Sequence, residues 1–104
     1  MYRGTTPKQI FKLSFFLENE DELYVTYAQD GAVVFEKELS EVEKIIDIDT
    51  GNTVLTFTLS QAETLLLKDD YIYIQIRIKF KDGTAIASDL IRTYTSIILK
   101  DGEI

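Results

Sequence analysis

The sequence predicts an all-β fold, an antiparallel β-sandwich with one short helix. Three observations predict it. In Tyr71–Lys81 every second residue is apolar, which is the alternation of a strand with one buried face and one solvated face. Asp30-Gly31 and Asp82-Gly83 each separate two β-forming segments, as the turns of hairpins do. Ser60-Gln61-Ala62-Glu63 is a capping box, which starts a helix.

In the first half of the chain we expect an extended arm followed by five strands. The arm is Met1–Pro7, because the residue before a proline avoids the helical region. The acidic run Glu18–Glu22 is expected to be a solvated loop, since its like charges repel each other. The strands are predicted at Ile10–Leu17, Leu23–Gln29, Ala32–Leu39, Val42–Asp49 and Thr53–Leu59.

The second half begins with the helix, predicted at Ser60–Leu67 and ended by Lys68-Asp69-Asp70. Two more strands are predicted: one at Tyr71–Lys81, and a final one that begins at Thr84–Ala87, is broken by Ser88-Asp89 and resumes at Leu90–Ser96. A strand, a two-turn helix, a long strand and a hairpin follow each other in this order in the later half of an immunoglobulin-like (Ig-like) sandwich. The total is about seven strands, as in that fold.

The fold prediction includes a candidate tyrosine corner and an alternative architecture. Tyr71 or Tyr73 lies where an Ig-like domain usually has its tyrosine corner, although the cysteine pair and the tryptophan of antibody domains are absent. The same pattern of strands also fits a small barrel, which is the second choice of architecture.

We predict one domain, spanning residues 1–104. A chain of 104 residues removes roughly two-thirds of its unfolded surface from water when it folds. The centre of the core is predicted to contain Leu13, Val25, Leu55, Phe57, Ile74 and Ile76. An aspartate in place of Ile76 would bury an unpaired charge and is expected to unfold the domain.

The net charge and the distribution of apolar residues limit the classes of partner that we expect. The net charge of −7 disfavours nucleic acid, whose binding requires basic patches. No apolar segment approaches the twenty or so residues that span a bilayer, and the start has no basic region followed by an apolar run, so we expect no membrane insertion and no secretion signal. Another protein is the expected partner.

The residue inventory disfavours catalysis. The chain has no histidine and no cysteine, so it lacks the usual general base, the thiolate nucleophile and most ligands for transition metals. Its serines lie in no recognisable nucleophile motif, and its glycines are scattered singly rather than grouped in a phosphate-binding loop. We therefore predict a protein that is not an enzyme and has no cofactor.

One acidic segment superficially resembles a calcium loop. Asp47 and Asp49 would project from the same face of a strand just before the turn Thr50-Gly51-Asn52. The third oxygen ligand and the closing bidentate glutamate of such loops are missing. A solvated strand end that runs into a turn is the preferred interpretation, and no metal site is predicted.

The solvated face of the long strand is the candidate interface. It carries Tyr71, Tyr73 and Arg77, and tyrosine and arginine are enriched where proteins meet, because each combines a large contact area with a polar end. The arm adds Tyr2 and Arg3, which we expect to contact a neighbour by strand addition. The other interpretation of the same face is an ordinary amphipathic sheet surface.

A family resemblance supplies the functional expectation. Nearly the whole chain resembles short proteins encoded in phages and prophages of low-GC Gram-positive bacteria. The segments that carry the resemblance are Arg3–Pro7, Phe11–Leu13, Tyr24–Phe35, Gln75–Ile78 and Asp82–Ser88. The layout is also similar to the Ig-like N-terminal domain of phage baseplate proteins, which begins with a comparable Arg-Gly-[Asp/Thr]-Thr stretch. Those domains serve as adaptors in the tail tip.

The resemblance implies a non-enzymatic structural or assembly protein of a phage or prophage, in the tail, the baseplate or the head–tail region. Its expected partners are other phage structural proteins, with a homo-oligomer as a further possibility, and its expected location is the virion or the cytoplasm of the bacterial host. The alternative is a β-sandwich module that binds a carbohydrate or another small ligand. The absence of tryptophan, the best sugar-stacking residue, favours the first hypothesis.

Overall fold

Eight strands form two antiparallel sheets in the computed structural model, which describes all 104 residues. The strands are β1 (Lys8–Leu13), β2 (Glu20–Gln29), β3 (Ala32–Glu38), β4 (Glu43–Asp47), β5 (Asn52–Thr58), β6 (Tyr71–Phe80), β7 (Ala85–Ala87) and β8 (Ile91–Tyr94). One α-helix, α1 (Gln61–Leu65), lies between β5 and β6, and a 3-10 turn (Leu39–Glu41) joins β3 to β4. The predicted all-β fold with one short helix is confirmed.

The strand order is that of an Ig-like sandwich. The three-stranded sheet has the order β1-β5-β4, and the five-stranded sheet has the order β3-β2-β6, with β7 and β8 both paired to the far side of β6. Hairpins join β2 to β3, β4 to β5 and β6 to β7, and β7 continues into β8 in the same sheet, while the connections β1–β2, β3–β4 and β5–β6 cross between the sheets. This corresponds to Ig strands B-E-D in one sheet and C′-C-F-G in the other. Counted as one interrupted strand, β7 and β8 give seven.

Ser88 interrupts the last strand, as the sequence predicts. Its backbone N–H donates to the carbonyl of Ile76 (2.8 Å), and its hydroxyl accepts from the Ile76 N–H (3.0 Å). The Gln75 amide nitrogen donates to the Ser88 carbonyl (3.0 Å). Because these side-chain contacts replace regular ladder bonds, the sheet continues across the interruption.

Both Asp-Gly hairpins form. Asp30 (φ 53°) and Gly31 (φ 75°) both have positive φ, which is the backbone of a type I′ turn and which aspartate and glycine tolerate best. In the second hairpin the Asp82 carboxylate accepts from the backbone N–H of Thr84 (2.9 Å) and from its hydroxyl (2.6 Å). These local bonds explain why two residues suffice to predict each turn.

Twelve buried apolar residues form one core between the sheets. Most of them come from β2 and β6, and Tyr27 joins the two sheets: its ring stacks on Phe35 (4.6 Å between centroids) and its hydroxyl donates to Gln9 on β1 (2.8 Å). Burial raises the pKa of the Tyr27 hydroxyl. The core residues are Leu17, Leu23, Val25, Tyr27, Leu55, Phe57, Leu59, Leu67, Ile72, Ile74, Ile76 and Ile78.

Five of the six residues predicted for the centre of the core are buried, and Leu13 is the exception. Leu13 is half-buried at the end of β1. The prediction of β1 as Ile10–Leu17 is wrong at that end, because the backbone beyond Leu13 bonds to a side chain instead of a strand. The Thr53 hydroxyl donates to the carbonyl of Phe15 (2.8 Å) and accepts from the N–H of Leu17 (2.9 Å). Leu17 itself is fully buried.

The loop predicted at Glu18–Glu22 is shorter than expected, because β2 begins at Glu20. The Glu20 carboxylate lies 2.6 Å from the ammonium of Lys44 and only 12% of its side chain is exposed. Burial is the largest single influence and would raise the pKa of Glu20, but the hydrogen bond from Lys44, a backbone hydrogen bond and the charges of Lys44 and Lys81 together outweigh it and lower that pKa. The counter-charge from β4 therefore offsets the repulsion that the sequence suggests.

Helix α1 has the predicted start and an earlier end. The Glu63 N–H donates to the Ser60 hydroxyl (3.1 Å), and the Ser60 N–H donates to the Glu63 carboxylate (2.9 Å), so the capping box is confirmed. The α-helical hydrogen bonding stops at Leu65 rather than Leu67. No helix of this structure has both the length and the apolar character needed to cross a bilayer.

The N-terminal arm is not free. Tyr2 forms a parallel bridge with Ser96, so the arm adds to the edge of its own sheet beyond β8. Ser96 donates to the carbonyl of Met1 (2.7 Å), and Arg3 donates to the carbonyl of Ser96 (3.0 Å). The chain then turns at Gly4, where φ is +68° and a Cβ would lie 2.8 Å from Ile98. The expectation of an extended, available arm is therefore wrong.

Candidate interaction surface

The outer face of the five-stranded sheet concentrates the aromatic and guanidinium groups of the surface. Strand alternation sends Leu23, Val25 and Tyr27 of β2, and the isoleucines of β6, into the core, so the intervening residues point outward. Four of the six tyrosines and two of the three arginines lie there. We call this surface the Tyr/Arg face: Tyr24, Tyr71, Tyr73, Arg77, Arg92 and Tyr94.

The strand register sets the neighbours on this face. Arg77 of β6 lies opposite Tyr24 of β2, and Tyr73 lies opposite Arg92 of β8. Tyr71 lies opposite Tyr94, and their rings meet edge to face with 5.1 Å between centroids. Directly opposed side chains on one face are close enough to pack against each other.

Arg92 is held over an aromatic ring. Its guanidinium carbon lies 4.5 Å from the centroid of Tyr71, a cation–π distance. The Tyr71–Tyr94 pair and Arg92 thus form an ordered cluster at one end of the face. Groups that are already ordered lose less conformational entropy when a partner binds.

Charge is arranged across the face in a gradient. Glu36 and Glu38 of β3 lie at one edge, whereas Arg77 and Arg92 lie towards the other and have no carboxylate within 4.0 Å in this chain. Two unpaired guanidinium groups on a protein of net charge −7 are suited to carboxylates of a partner, which arginine binds through two parallel hydrogen bonds.

Neighbouring carboxylates affect two of the tyrosines. The charge of Glu22, which also accepts a hydrogen bond from the Tyr24 hydroxyl at 3.3 Å, raises the pKa of Tyr24. Asp69 raises the pKa of Tyr94. Both hydroxyls therefore stay protonated at neutral pH and remain hydrogen-bond donors.

The predicted interface residues separate into two groups. Tyr71, Tyr73 and Arg77 lie together on the Tyr/Arg face, as predicted. Tyr2 is exposed but lies on the edge beyond β8, and Arg3 forms hydrogen bonds within its own chain. The guanidinium of Arg3 donates to the carbonyl of Leu67 (2.6 Å) and to that of Leu65 (2.9 Å), so it satisfies orphan carbonyl groups at the end of α1.

Sequence reasoning missed the other half of this face. Tyr24 alternates with buried Val25 and Tyr27, and Arg92 and Tyr94 alternate with Ile91 and Thr93, so the signal was the same two-residue period that identifies β6. The period does not predict that β2, β6 and β8 pair side by side. This pairing brings the residues of the face together.

The tyrosine-corner prediction is wrong. Tyr71 and Tyr73 both point to the outer face, where both residues are exposed. The reason is their register in β6, because the alternate positions Ile72 and Ile74 take the inward sites.

Two hollows lie on or beside the Tyr/Arg face, and a larger one of about 500 Å³, along Pro7–Phe11 and beside Ile91, contains no residue of that face. The hollow on the Tyr/Arg face, of about 180 Å³, is lined by Glu22, Tyr24, Arg77, Ile78, Lys79 and Ala85. Another, of about 320 Å³, lies beside it along Asp21–Tyr24 and Glu38–Ser40. The hollow next to Arg77 is smaller than the roughly 300–1,000 Å³ of typical ligand pockets.

The candidate calcium segment forms a turn closed by its own groups. The Asp47 carboxylate accepts from the N–H of Asp49 (3.1 Å), and the backbone N–H of Gly51 donates to the Asp47 carbonyl (2.9 Å). The structure contains no group of three or more acidic, histidine or cysteine side chains placed to hold a metal ion.

Comparison of the chain with models of protein families, with curated proteins and with solved structures finds no match.

Proposed function

We propose that this chain is a non-enzymatic structural or assembly protein of a phage or prophage particle, acting through protein–protein contacts on the Tyr/Arg face. The observation that carries the contact function is the concentration of tyrosine and unpaired arginine on one ordered sheet face. Interface energy usually depends on a few such residues. The phage setting rests on the sequence resemblance described above.

The geometry favours a protein partner over a small ligand. A sugar or a small molecule binds best in a concave site that buries most of its surface, whereas the hollow beside Tyr24 and Arg77 holds only about 180 Å³. A protein partner can instead cover a broad face and reach both arginines. The unpaired guanidinium groups favour a partner surface that carries carboxylates.

The test uses phage particles from the bacterial strain that encodes the chain. Prophage induction, particle purification and mass spectrometry should find the chain in stoichiometric amount with the other particle proteins. A folded Tyr73→Ala/Arg77→Ala variant, supplied in place of the wild type, should be absent from particles or reduced at least about tenfold, because it removes two central contact groups.

A matched control variant tests whether the loss of incorporation is specific to the Tyr/Arg face. Ile48→Ala/Lys100→Ala also removes one large exposed side chain and one cation, but both lie outside the Tyr/Arg face, so incorporation should remain unchanged. Absence of the wild-type chain from particles would contradict the phage assignment. Normal incorporation of Tyr73→Ala/Arg77→Ala would contradict the role of the face.

A further inference from the structure

The three-stranded sheet has two free edges, β1 and β4, because β5 lies between them. The backbone N–H of Leu59 donates to the carbonyl of Pro7 (3.1 Å), so Pro7 and Leu59 form a hydrogen-bonded pair. In an antiparallel ladder such pairs alternate with pairs whose backbone groups point away. The outward-pointing backbone groups of β1 therefore belong to Lys8, Ile10 and Lys12.

The same alternation identifies the free groups of β4. Residues of β5 that do not bond to β1 bond to β4, and Val54, one of these, lies opposite Ile45. Glu43, Ile45 and Asp47 thus direct their backbone groups to β5. Lys44 and Ile46 direct theirs outward, with no strand to receive them.

The side chains on the outer face of these two edges are complementary. On β1 the outer positions read Lys8, Ile10, Lys12, and on β4 they read Glu43, Ile45, Asp47. Ile10 is 62% exposed and Ile45 is 50% exposed. None of the four charged groups takes part in an ion pair within the chain.

We propose that β4 of one copy of this chain pairs in parallel with β1 of a second copy, extending the three-stranded sheet. Ile45 then lies opposite Ile10, with Glu43 opposite Lys8 and Asp47 opposite Lys12. The inference stands on these two edges alone and does not depend on the proposed phage function or on the Tyr/Arg face.

The backbone groups fit this pairing. In a parallel ladder, a residue that faces its neighbour bonds to the residues before and after the one opposite it. With Ile10 opposite Ile45, the Ile10 N–H donates to the Lys44 carbonyl, and the Ile46 N–H donates to the Ile10 carbonyl. These are the groups that both edges leave free.

Only one register satisfies the side chains. A slip of one residue would place the outer side chains of β1 beside the inner side chains of β4. A slip of two residues would set Ile10 against Glu43 or Asp47 and would break both ion pairs, because one lysine of β1 would face Ile45 and the other would face a position beyond β4. Opposite charges at facing positions stabilise strand pairing, and like charges oppose it.

The contact joins two different edges, so it is head-to-tail. A pair of copies keeps one free β1 edge and one free β4 edge, and repetition of the contact produces a ring if the rotation closes or a filament if it does not. The two free edges of each three-stranded sheet are then protected from unspecific pairing by the copies themselves.

Charge reversal at each edge tests the proposal. Sedimentation velocity of the wild type from micromolar to millimolar concentration should show self-association that weakens with salt, since exposed ion pairs are screened. Lys8→Glu/Lys12→Glu places acids on both edges, and Glu43→Lys/Asp47→Lys places lysines on both. Each variant alone should associate at least about tenfold more weakly than the wild type, with a far-ultraviolet circular dichroism spectrum like that of the wild type.

Mixing the two variants gives the decisive result. The acidic β1 of the first variant then meets the basic β4 of the second, and the reverse holds at the other edge, so an equimolar mixture should recover association. A wild type that stays monomeric at millimolar concentration, or a mixture that stays monomeric, would overturn the proposal. So would association that survives both reversals and is lost in Tyr73→Ala/Arg77→Ala, because the copies would then meet through the Tyr/Arg face.

Discussion

The two sheets of this sandwich contribute very differently to the core. Strands β2 and β6 of the five-stranded sheet are buried along most of their inner faces. In the three-stranded sheet only the central strand β5 is buried in this way, and every residue of β4 is exposed. The difference indicates that fold stability is concentrated in β2, β5 and β6, while the outer faces and the edges β1 and β4 are available for contact.

The largest expected difference comes from the same substitution made in each sheet. Ile76→Asp would bury an unpaired carboxylate in the core. It should lower the free energy of unfolding by about 4 kcal/mol or more, which is enough to unfold the domain. Ile45→Asp on β4 should change the free energy of unfolding by less than about 0.5 kcal/mol at low concentration. Urea denaturation measures both. Equal effects would contradict the assignment of the core.

A second pair of variants compares two buried threonine hydroxyls. Thr53 bonds both Phe15 and Leu17, so Thr53→Val should cost about 1–3 kcal/mol by leaving buried backbone groups unpaired. The Thr95 hydroxyl is buried without any hydrogen-bond partner, so Thr95→Val should be neutral or stabilising by up to about 1 kcal/mol. Thermal unfolding distinguishes the two, and a destabilised Thr95→Val would show that its hydroxyl has an unseen partner.

The ion pair that joins β3 to α1 makes stability depend on pH. The Lys37 ammonium, 11% exposed, lies 2.8 Å from the Glu63 carboxylate, which is 21% exposed. Burial is the largest single influence and would raise the pKa of Glu63, but the hydrogen bond and charge of Lys37 together with the hydrogen bonds from Ser60 outweigh it and lower that pKa below the ordinary 4.5. The stabilisation is therefore complete above about pH 4.5 and is lost as pH falls through the lowered pKa.

Glu63→Gln keeps the capping-box geometry and removes the charge. It should cost about 1–2 kcal/mol at pH 7 and much less at a pH where Glu63 of the wild type is protonated. Urea titrations at both pH values measure the difference, with Glu18→Gln in the exposed loop as the control. A cost that does not shrink in acid would show that the ion pair is not the source.

The smallest expected effect concerns the arm. Arg3→Lys loses one of the two bonds to the carbonyls of Leu65 and Leu67, because an ammonium cannot reproduce the planar fork of a guanidinium. The cost should be about 1 kcal/mol, and proteolysis within Met1–Pro7 should accelerate. Arg77→Lys, at an arginine that bonds no carbonyl and stacks on no ring, is the matched control and should leave both readouts unchanged.

The sequence is most informative where structure is decided locally. Alternation in β6, the Asp-Gly turns and the capping box each depend on residues next to one another, and all three predictions are confirmed. The end of β1 and the position of the arm depend instead on Thr53 and on the carbonyls of α1, which lie far away in sequence. No local pattern encodes such contacts.

The Tyr/Arg face was half predictable for the same reason. Tyr71, Tyr73 and Arg77 follow from the period of a single strand, whereas adding Tyr24, Arg92 and Tyr94 requires the register between strands. The complementary edges of the three-stranded sheet also depend on pairing, because the outer positions of β1 and β4 are defined only once both strands flank β5.

Residue-resolved amide hydrogen exchange on the dilute, monomeric chain tests the division between stable strands and available edges most directly. We expect the amides of β2, β5 and β6 to exchange only by global unfolding, while the outward amides of Ile10, Lys44 and Ile46 exchange at least about a hundredfold faster. Comparable protection of these edge amides, or fast exchange throughout β6, would contradict the account.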